Sequence, residues 1–392
     1  MNKPFWMKFL AVPLAVGLCA FVANAQDDTI HITKPVDLDS PPTPIAISGF
    51  SGEVARALNF DLTVMGFVEV PPDSAKYALT GNNNGSVQGQ LSLGKNVLFS
   101  KIYNGGSSRA QAHRLADDVV MKLTGVNGIA ETKIAFKAGS GQSSEIYIAD
   151  FDGHNPQAVT SDRTTVAAPC WVPGKLALYY TSYKLGNPDV FYQNLSSGER
   201  QNFAHYPGMN SSAAVSPDGR KVALVLSKSG SPDIYVRDIA TDNLKQITTT
   251  REASSPCWSP DGNWICFAAR VGGRRSLYKV PAGGGQMERI STSGISNPSE
   301  PDWSPDGKWI AFTAQMGDFN LCVVPAQGGS ARLLVSGEDP SWAPNSRTLI
   351  FVRRGGGGSR VLSVLDVPTK QVKDAARVSG GNSSNSQPSW AR

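Results

Sequence analysis

The chain has 392 residues, of which 40% are hydrophobic and only 18% charged, with 39 Gly, 26 Pro and a formal net charge of +5. A mean hydropathy of −0.21 excludes a mostly membrane-embedded protein, and the low charge excludes a coiled coil and an acidic disordered chain. Abundant Gly, Ser and Pro point instead to many short strands and tight turns.

Residues 1–25 read as a signal peptide. Lys3 and Lys8 make a basic start, Phe9 to Val22 is an apolar run, and Ala23-Asn24-Ala25 supplies a small-x-small cleavage site. The run is short for a single-pass anchor, and Leu18 ahead of Cys19 does not suit a lipoprotein. A secreted, soluble chain starting at Gln26 is expected, with no membrane span after cleavage. Loss of Lys3 and Lys8 leaves 35 basic residues against 32 acidic, a net charge of about +3 with no basic run. Nucleic acid is therefore not an expected partner.

Residues 26–131 predict a small α/β domain. Pro44–Ile47 reads as a strand and Gly52–Leu62 as a helix; Tyr77–Leu79, Ser86–Leu93 and Val97–Tyr103 read as further strands. Ser108 is placed as the cap of a second helix, whose apolar set Ala112, Leu115, Ala116, Val119, Val120 and Leu123 follows helical spacing until Gly125 ends it.

From residue 132 a repeat sets the architecture. The anchors are Pro169-Cys-Trp171, Ala213-Ala-Val215, Pro256-Cys-Trp258, Pro301-Asp-Trp303, Pro340-Ser-Trp342 and Pro388-Ser-Trp390, spaced by 44, 43, 45, 39 and 48 residues. That period, with strand-rich content, indicates propeller blades of four strands. Three anchors run into Ser-Pro-Asp-Gly, which sets Pro where φ is near −65° and Gly where φ is positive, a tight hairpin turn. Apolar runs follow, such as Val222–Val225 and Trp264–Phe267, as expected of strands buried on both faces. The Trp residues are read as packing between blades. Six hairpins and six anchors are offset by one, since the hairpin at Lys133 lacks an anchor and the last anchor lacks a hairpin. Circular closure by the C-terminal strand resolves this and removes an open edge. The expected fold is thus a small N-terminal α/β domain over 26–131 and a six-bladed all-β propeller over 132–392.

Signals for chemistry are thin. No Gly-x-Ser-x-Gly or His-Glu-x-x-His is present, and His31, His113, His154 and His205 share no motif. Gly89-x4-Gly94-Lys95-Asn96 approaches a phosphate loop but lacks the Ser/Thr and the following helix, so it reads as a hairpin turn. Asp150-x-Asp152-Gly153 is a fragment of a calcium loop without its liganding tail, and reads as a strand turn. No catalytic residue, metal or cofactor is expected. Four mature cysteines are too few for a disulfide framework; Cys257 and Cys266 could face each other across a hairpin, as a disulfide or as buried thiols.

The loops entering each innermost strand emerge on one propeller face, around the channel mouth. They carry Arg163, Asn210, Arg251, Glu252, Asn297, Glu300, Asp339 and Asn382, a mixed polar rim suited to protein recognition. As a rim residue, Asn210 should be replaceable without loss of stability.

The junction His113-Arg-Leu-Ala-Asp-Asp-Val-Val-Met-Lys-Leu-Thr-Gly125, followed by Gly128-Ile-Ala-Glu-Thr-Lys-Ile-Ala-Phe136, together with the Ser-Pro-Asp-Gly repeats, resembles the TolB family. The resemblance covers essentially the whole mature chain. It implies a non-enzymatic periplasmic scaffold of a Tol–Pal system, acting as a monomer in outer-membrane integrity and constriction at division. The lipoprotein Pal would bind at the channel mouth, through Met209, Asn210, Ser212, Ser254 and Glu300 by position in the repeat. TolA would bind the N-terminal segment, through Thr29, Ile30, His31 and Ile32, an alternating stretch able to add a strand to a partner's sheet. Two rivals are a prolyl-oligopeptidase-like propeller, which needs a hydrolase domain, and a polysaccharide-binding or -cleaving propeller, which would want His or carboxylates clustered in the channel.

Overall fold

The computed structural model describes residues 38–140, 143–356, 359–378 and 384–392. The expected signal peptide and Thr29–Ile32 lie outside the described residues. All described residues fall in one compact unit.

The first element is strand β1 (Thr43–Ser48), followed by helix α1 (Gly52–Val64), β2 (Phe67–Glu69), β3 (Tyr77–Asn82), β4 (Val87–Leu93), β5 (Asn96–Tyr103) and helix α2 (Ser108–Thr124). The sheet order is β2-β1-β3-β4-β5, parallel at β1 with β2 and β3 and antiparallel beyond. Strand β2 escapes sequence detection because three residues are too few to show alternation. The cap of α2 is Ser107, not Ser108: its side chain accepts the Ala110 N–H, while Gly125 closes the helix at φ 72°. Ala112, Leu115, Ala116, Val119 and Val120 are buried as the spacing predicts. Leu115 packs so closely on Gly89 of β4 that an added Cβ would lie 2.6 Å from its methyl group. The Gly94-Lys95 step is the hairpin turn between β4 and β5.

Six four-stranded blades follow, as the repeat predicts. In blade 1 the C-terminal strand Ser384–Trp390 pairs with Lys133–Ser140, Trp390 opposite Ile134, closing the ring. Inner strands of blades 2 to 6 are Val166–Trp171, Asn210–Val215, Ala253–Trp258, Pro298–Trp303 and Glu338–Trp342. The second strands are buried on both faces; all six residues of Ala177–Ser182 are inaccessible. Each complete Ser-Pro-Asp-Gly turn is held by its own serine. Ser216 Oγ donates to Asp218 Oδ1 at 2.6 Å and accepts from Lys221 N at 2.9 Å, with Gly219 at φ 70°.

The Trp anchors do tie neighbouring blades. Indole N–H groups of Trp171, Trp258 and Trp342 donate to Ser389, Ala214 and Asp302 carbonyls on the preceding inner strand, at 3.1, 2.9 and 3.1 Å. Trp303 instead bonds Gly307 of its own turn. One apolar core runs from the helices into the propeller, joining Leu58, Leu62, Leu115 and Val119 to Phe151 and Trp390 of blade 1 and to Ile350 and Leu362 of blade 6. Such burial is the main force holding the two parts together.

Candidate functional site at the channel mouth

The inner strands surround a central channel of about 500 Å³. Each inner strand breaks register with its neighbour once, and at each break sits a left-handed, non-glycine residue. These are Ala168, Ser212, Ser255, Glu300, Asp339 and Gln387, with φ between 49° and 55°, and all six line the channel. A bulge re-aims a side chain that regular pleating would send elsewhere, and non-glycine residues in this region carry strain.

Half of this ring is cross-linked. Ala168 N donates to Gln387 Oε1 at 3.0 Å, Gln387 N to Asp339 Oδ2 at 3.1 Å, and Asp339 N to Glu300 Oε2 at 3.2 Å. Each long side chain thus caps the strained amide of the next blade. Glu300 Oε2 also accepts from Thr313 Oγ1 at 2.6 Å. Burial, reinforced by the charge of Glu300, pushes Asp339 well above the usual carboxylate range. On the other half, Ala168, Ser212 and Ser255 have side chains too short to span to the next blade, and the channel wall there is small and open. At the far end Arg392 reaches across to the Trp342 carbonyl at 3.2 Å and to the carboxylate of Asp302. Asp302 is raised by burial, partly countered by Arg392.

The mouth loops are tied by carboxylates that the sequence reading passed over, Asp233 and Asp189 buried and Glu145 half-buried. Asp233 accepts from Thr248 Oγ1 (2.8 Å) and Thr250 N (2.7 Å); Glu145 accepts from Asp162 N (3.0 Å) and Arg163 N (2.7 Å). Asp189 accepts from His205 Nδ1 (2.8 Å) and Asn210 Nδ2 (3.3 Å). A signal was present in Pro188-Asp189-Val-Phe and Pro232-Asp233-Ile-Tyr, where an acid opens an otherwise apolar strand.

Of the residues assigned from the repeat, Ser212 and Glu300 lie in the channel ring. Met209 is half-buried in its loop and packs on the core between blades 3 and 4. Ser254 donates to the Ala268 carbonyl of its own blade at 3.4 Å, while its neighbour Ser255 lines the channel. Asn210 differs from its expected rim role. It is fully buried, its amide donating to Tyr206 O (2.8 Å) and Gly208 O (3.2 Å) and accepting from Tyr206 N (2.9 Å). Its contribution is to shape the loop that presents Met209. Arg163, Arg251, Glu252 and Asn297 are exposed on the mouth loops, and Asn382 lies outside the described residues.

Cys257 and Cys266 are cross-strand partners, and both are free thiols. Burial and the adjoining Cys266 push Cys257 well up, and burial raises Cys170 to about 11 and Cys322 to about 12, so none of these three is an activated nucleophile. Among the described residues, Asp61, His113 and Asp152 bring one side-chain N or O atom each within 4.8 Å of the others. Arg109 already neutralises Asp152, so this is a charge network, and it lies at the helix–propeller junction rather than in the channel. No described helix is long and apolar enough to cross a membrane.

A family model described as the TolB beta propeller domain matches residues 120–392. "Tol-Pal system protein TolB" from Francisella tularensis subsp. mediasiatica (strain FSC147) is 31% identical over 218 residues, 52% of this chain and 50% of that protein, and the subsp. holarctica (strain OSU18) protein matches equally. The chain spans about half the length of the curated relatives it matches. The crystal structure of TolB from Acinetobacter baumannii superposes with a TM-score of 0.80 at 24% identity, over 90% of this chain and 97% of that one. A putative TolB from Agrobacterium tumefaciens matches with a TM-score of 0.52 at 17% identity, over 67% of this chain and 99% of that one. At those identities the two structural likenesses are of fold.

Proposed function

This chain belongs to the TolB β-propeller family, and from that premise we propose that it is the TolB component of a Tol–Pal cell-envelope system. On this reading it is a monomeric, non-enzymatic periplasmic scaffold, divided into a signal peptide (1–25), an α/β domain (26–131) and a propeller (132–392). It binds Pal at the channel mouth, through Met209, Ser212, Ser254 and Glu300 with Asn210 bracing the loop. It binds TolA through Thr29, Ile30, His31 and Ile32, and so supports outer-membrane integrity and constriction at division.

The observation that carries the Pal assignment is the asymmetry of the ring. Glu300, Asp339 and Gln387 are committed to backbone amides, whereas Ser212 and Ser255 leave blades 3 and 4 open beside Met209. A rigid, strained wall facing a small-residue gap suits insertion of a partner's side chains without rearrangement. The test is calorimetric titration of residues 26–392 with the cognate soluble Pal domain at two salt concentrations. Binding at 1:1, micromolar or tighter, is expected, and weaker binding in Ser212→Trp locates it. Absence of heat with folded protein overturns the reading and favours a polysaccharide ligand.

A further inference from the structure

Where the helices meet blade 1, four charged or titratable side chains are sealed from water. Asp61 of α1 and Asp152 of the turn after Ser143–Asp150 are fully buried, and His113 and Arg109 of α2 are 4% and 6% exposed. Arg109 and His113 stand one turn apart and so share one face of α2. His113 Nδ1 lies 2.7 Å from Asp61 Oδ2, and Arg109 Nε donates to Asp152 Oδ2 at 2.7 Å. His113 Nε2 has no hydrogen-bond partner and faces Asp152 Oδ2 at 3.4 Å; Asp61 Oδ1 is also unpartnered.

This geometry constrains the protons. A neutral imidazole that donates from Nδ1 to Asp61 turns the Nε2 lone pair toward a buried carboxylate oxygen. A neutral imidazole protonated at Nε2 turns its Nδ1 lone pair onto Asp61, which must then be the acid. Both arrangements leave an acceptor facing an acceptor unless one further proton is present. The charges agree: two carboxylates and one guanidinium leave −1, and protonated His113 makes the cluster neutral. An unbalanced charge in such surroundings is strongly disfavoured.

We propose that a proton held by His113 and Asp61 latches the helical layer onto the first blade, so that the two parts dock more tightly as pH falls and less tightly as it rises. The latch spans the junction because the Asp152 turn is itself fixed. His154 N donates to Asp152 Oδ1 at 3.0 Å, and Ala376 N, beyond blade 6, donates to the Asp152 carbonyl at 2.7 Å. Phe151 packs edge-on against both His113 and Phe60, with centroids 5.6 Å apart in each case, so loosening this contact opens the shared core.

Two other charged or titratable groups, Glu53 and His154, touch the cluster itself, and the rest around His113 are held elsewhere. Glu53 of α1 lies 3.9 Å from Arg109 Nη1, and Asp117 of α2 accepts from Ala130 N and Glu131 N. In blade 1, His154 Nδ1 lies 3.3 Å from Asp152 Oδ1 and Asp150 pairs with Lys133; in blade 6, Lys373 bonds Asn59. Burial alone pushes His113 down, but the hydrogen bond and charge of Asp61, with the charge of Asp152, outweigh it and the net direction is up. Burial likewise raises Asp61 to about 6. Both groups hold protons more firmly in the folded chain. The contribution of Asp61 is complete below 3.8 and lost as pH rises through about 6, beneath the tested range, whereas that of His113 is complete below the ordinary imidazole value of about 6.5. It is lost as pH rises through the folded value of His113. Asp152 is pushed up by burial yet held below its ordinary value by Arg109 and His113, and it acts only in acid. Burial raises Asp117 to about 6, and its effect is confined below the pH range of the test.

The test is amide hydrogen exchange of the full chain from pH 6.5 to 9, with rates divided by the intrinsic base-catalysed rate. Opening of α2 and of the Phe151–Asn155 turn should increase by up to tenfold per pH unit above the folded His113 value, while the inner strands of blades 3 and 4 stay flat. His113→Gln should abolish the slope, and Asp61→Asn should move its onset to lower pH, which serves if the glutamine variant does not fold. NMR titration of the His113 ring should give a midpoint above 6.5. A flat wild-type junction, an unchanged slope in both variants, or a ring midpoint at or below 6.5 would overturn the proposal. It is independent of what binds at the channel mouth, and a failed Pal titration leaves it standing.

Discussion

Replacing Asn210 by alanine separates a brace from a contact. The side chain is fully buried and satisfies Tyr206 N, Tyr206 O, Gly208 O and one oxygen of Asp189. A single hydrogen bond contributes about 1 kcal/mol net, and each buried partner left unsatisfied costs about 1–3 kcal/mol. Some of these groups regain water once the loop relaxes, so a loss of about 2–4 kcal/mol is expected. With an unfolding entropy of about 2 cal/mol/K per residue, 3 kcal/mol lowers the midpoint of this chain by about 4 °C. Differential scanning calorimetry measures the shift, and titration with the Pal domain measures the consequence. Binding should weaken together with stability, because the loop carrying Met209 loses its frame. An unchanged midpoint with lost binding would refute the brace and return Asn210 to the rim.

Further outcomes follow from the same contacts. Ala168→Gly should raise stability by up to about 1 kcal/mol, because a left-handed alanine costs about 1–2 kcal/mol and glycine's extra unfolded-chain entropy offsets only part of the gain; a loss in urea denaturation would mean the bulge carries no strain. Arg392→Ala should destabilise more at pH 8 than at pH 4.5. Asp302, already raised by burial, then loses its cationic partner, and its buried charge costs more at the higher pH than at the lower one, where protonation relieves more of it; an equal loss at both values would show that the arginine acts by packing alone. Iodoacetamide at pH 8 should leave the buried Cys257, Cys266 and Cys322 unmodified in the folded chain and label all three on unfolding, read by peptide mass mapping. Fast labelling of the native protein would contradict their burial.

Much of the channel wall was legible as repeats but not as a site. Pro-x-Trp and Ser-Pro-Asp-Gly locate every inner strand, yet nothing in Pro-Ser-Glu300-Pro or Gly-Glu-Asp339-Pro announces a left-handed residue. Five of the six left-handed residues directly precede the anchor proline, which disfavours the right-handed helical region for them, but that restriction alone favours extended backbone over a bulge. Ser254 and Ser255 show the consequence. One residue of register decides which side chain enters the channel; Ser255, directly before the anchor Pro256, occupies the position of Glu300 and Asp339, and Ser254 stands one residue earlier. Ser107 and Ser108 pose the same one-residue choice at the α2 cap.

The sequence by itself determined the blade number, the hairpins and the circular closure. Those rest on short-range physics: the φ limits of Pro and Gly, the serine that clips its own turn, and apolar runs that must be covered on both sides. The offset between six hairpins and six anchors even carried the long-range pairing of Trp390 with Ile134. Only the tertiary structure decided that Asn210 is interior, that half the ring is cross-linked, and that Asp61, His113 and Asp152 converge. His113 stands 52 residues from Asp61 along the chain, and Asp152 lies in a turn that looked ordinary. Their shared proton arises from desolvation and mutual charge, which exist only once the helices have docked on the first blade.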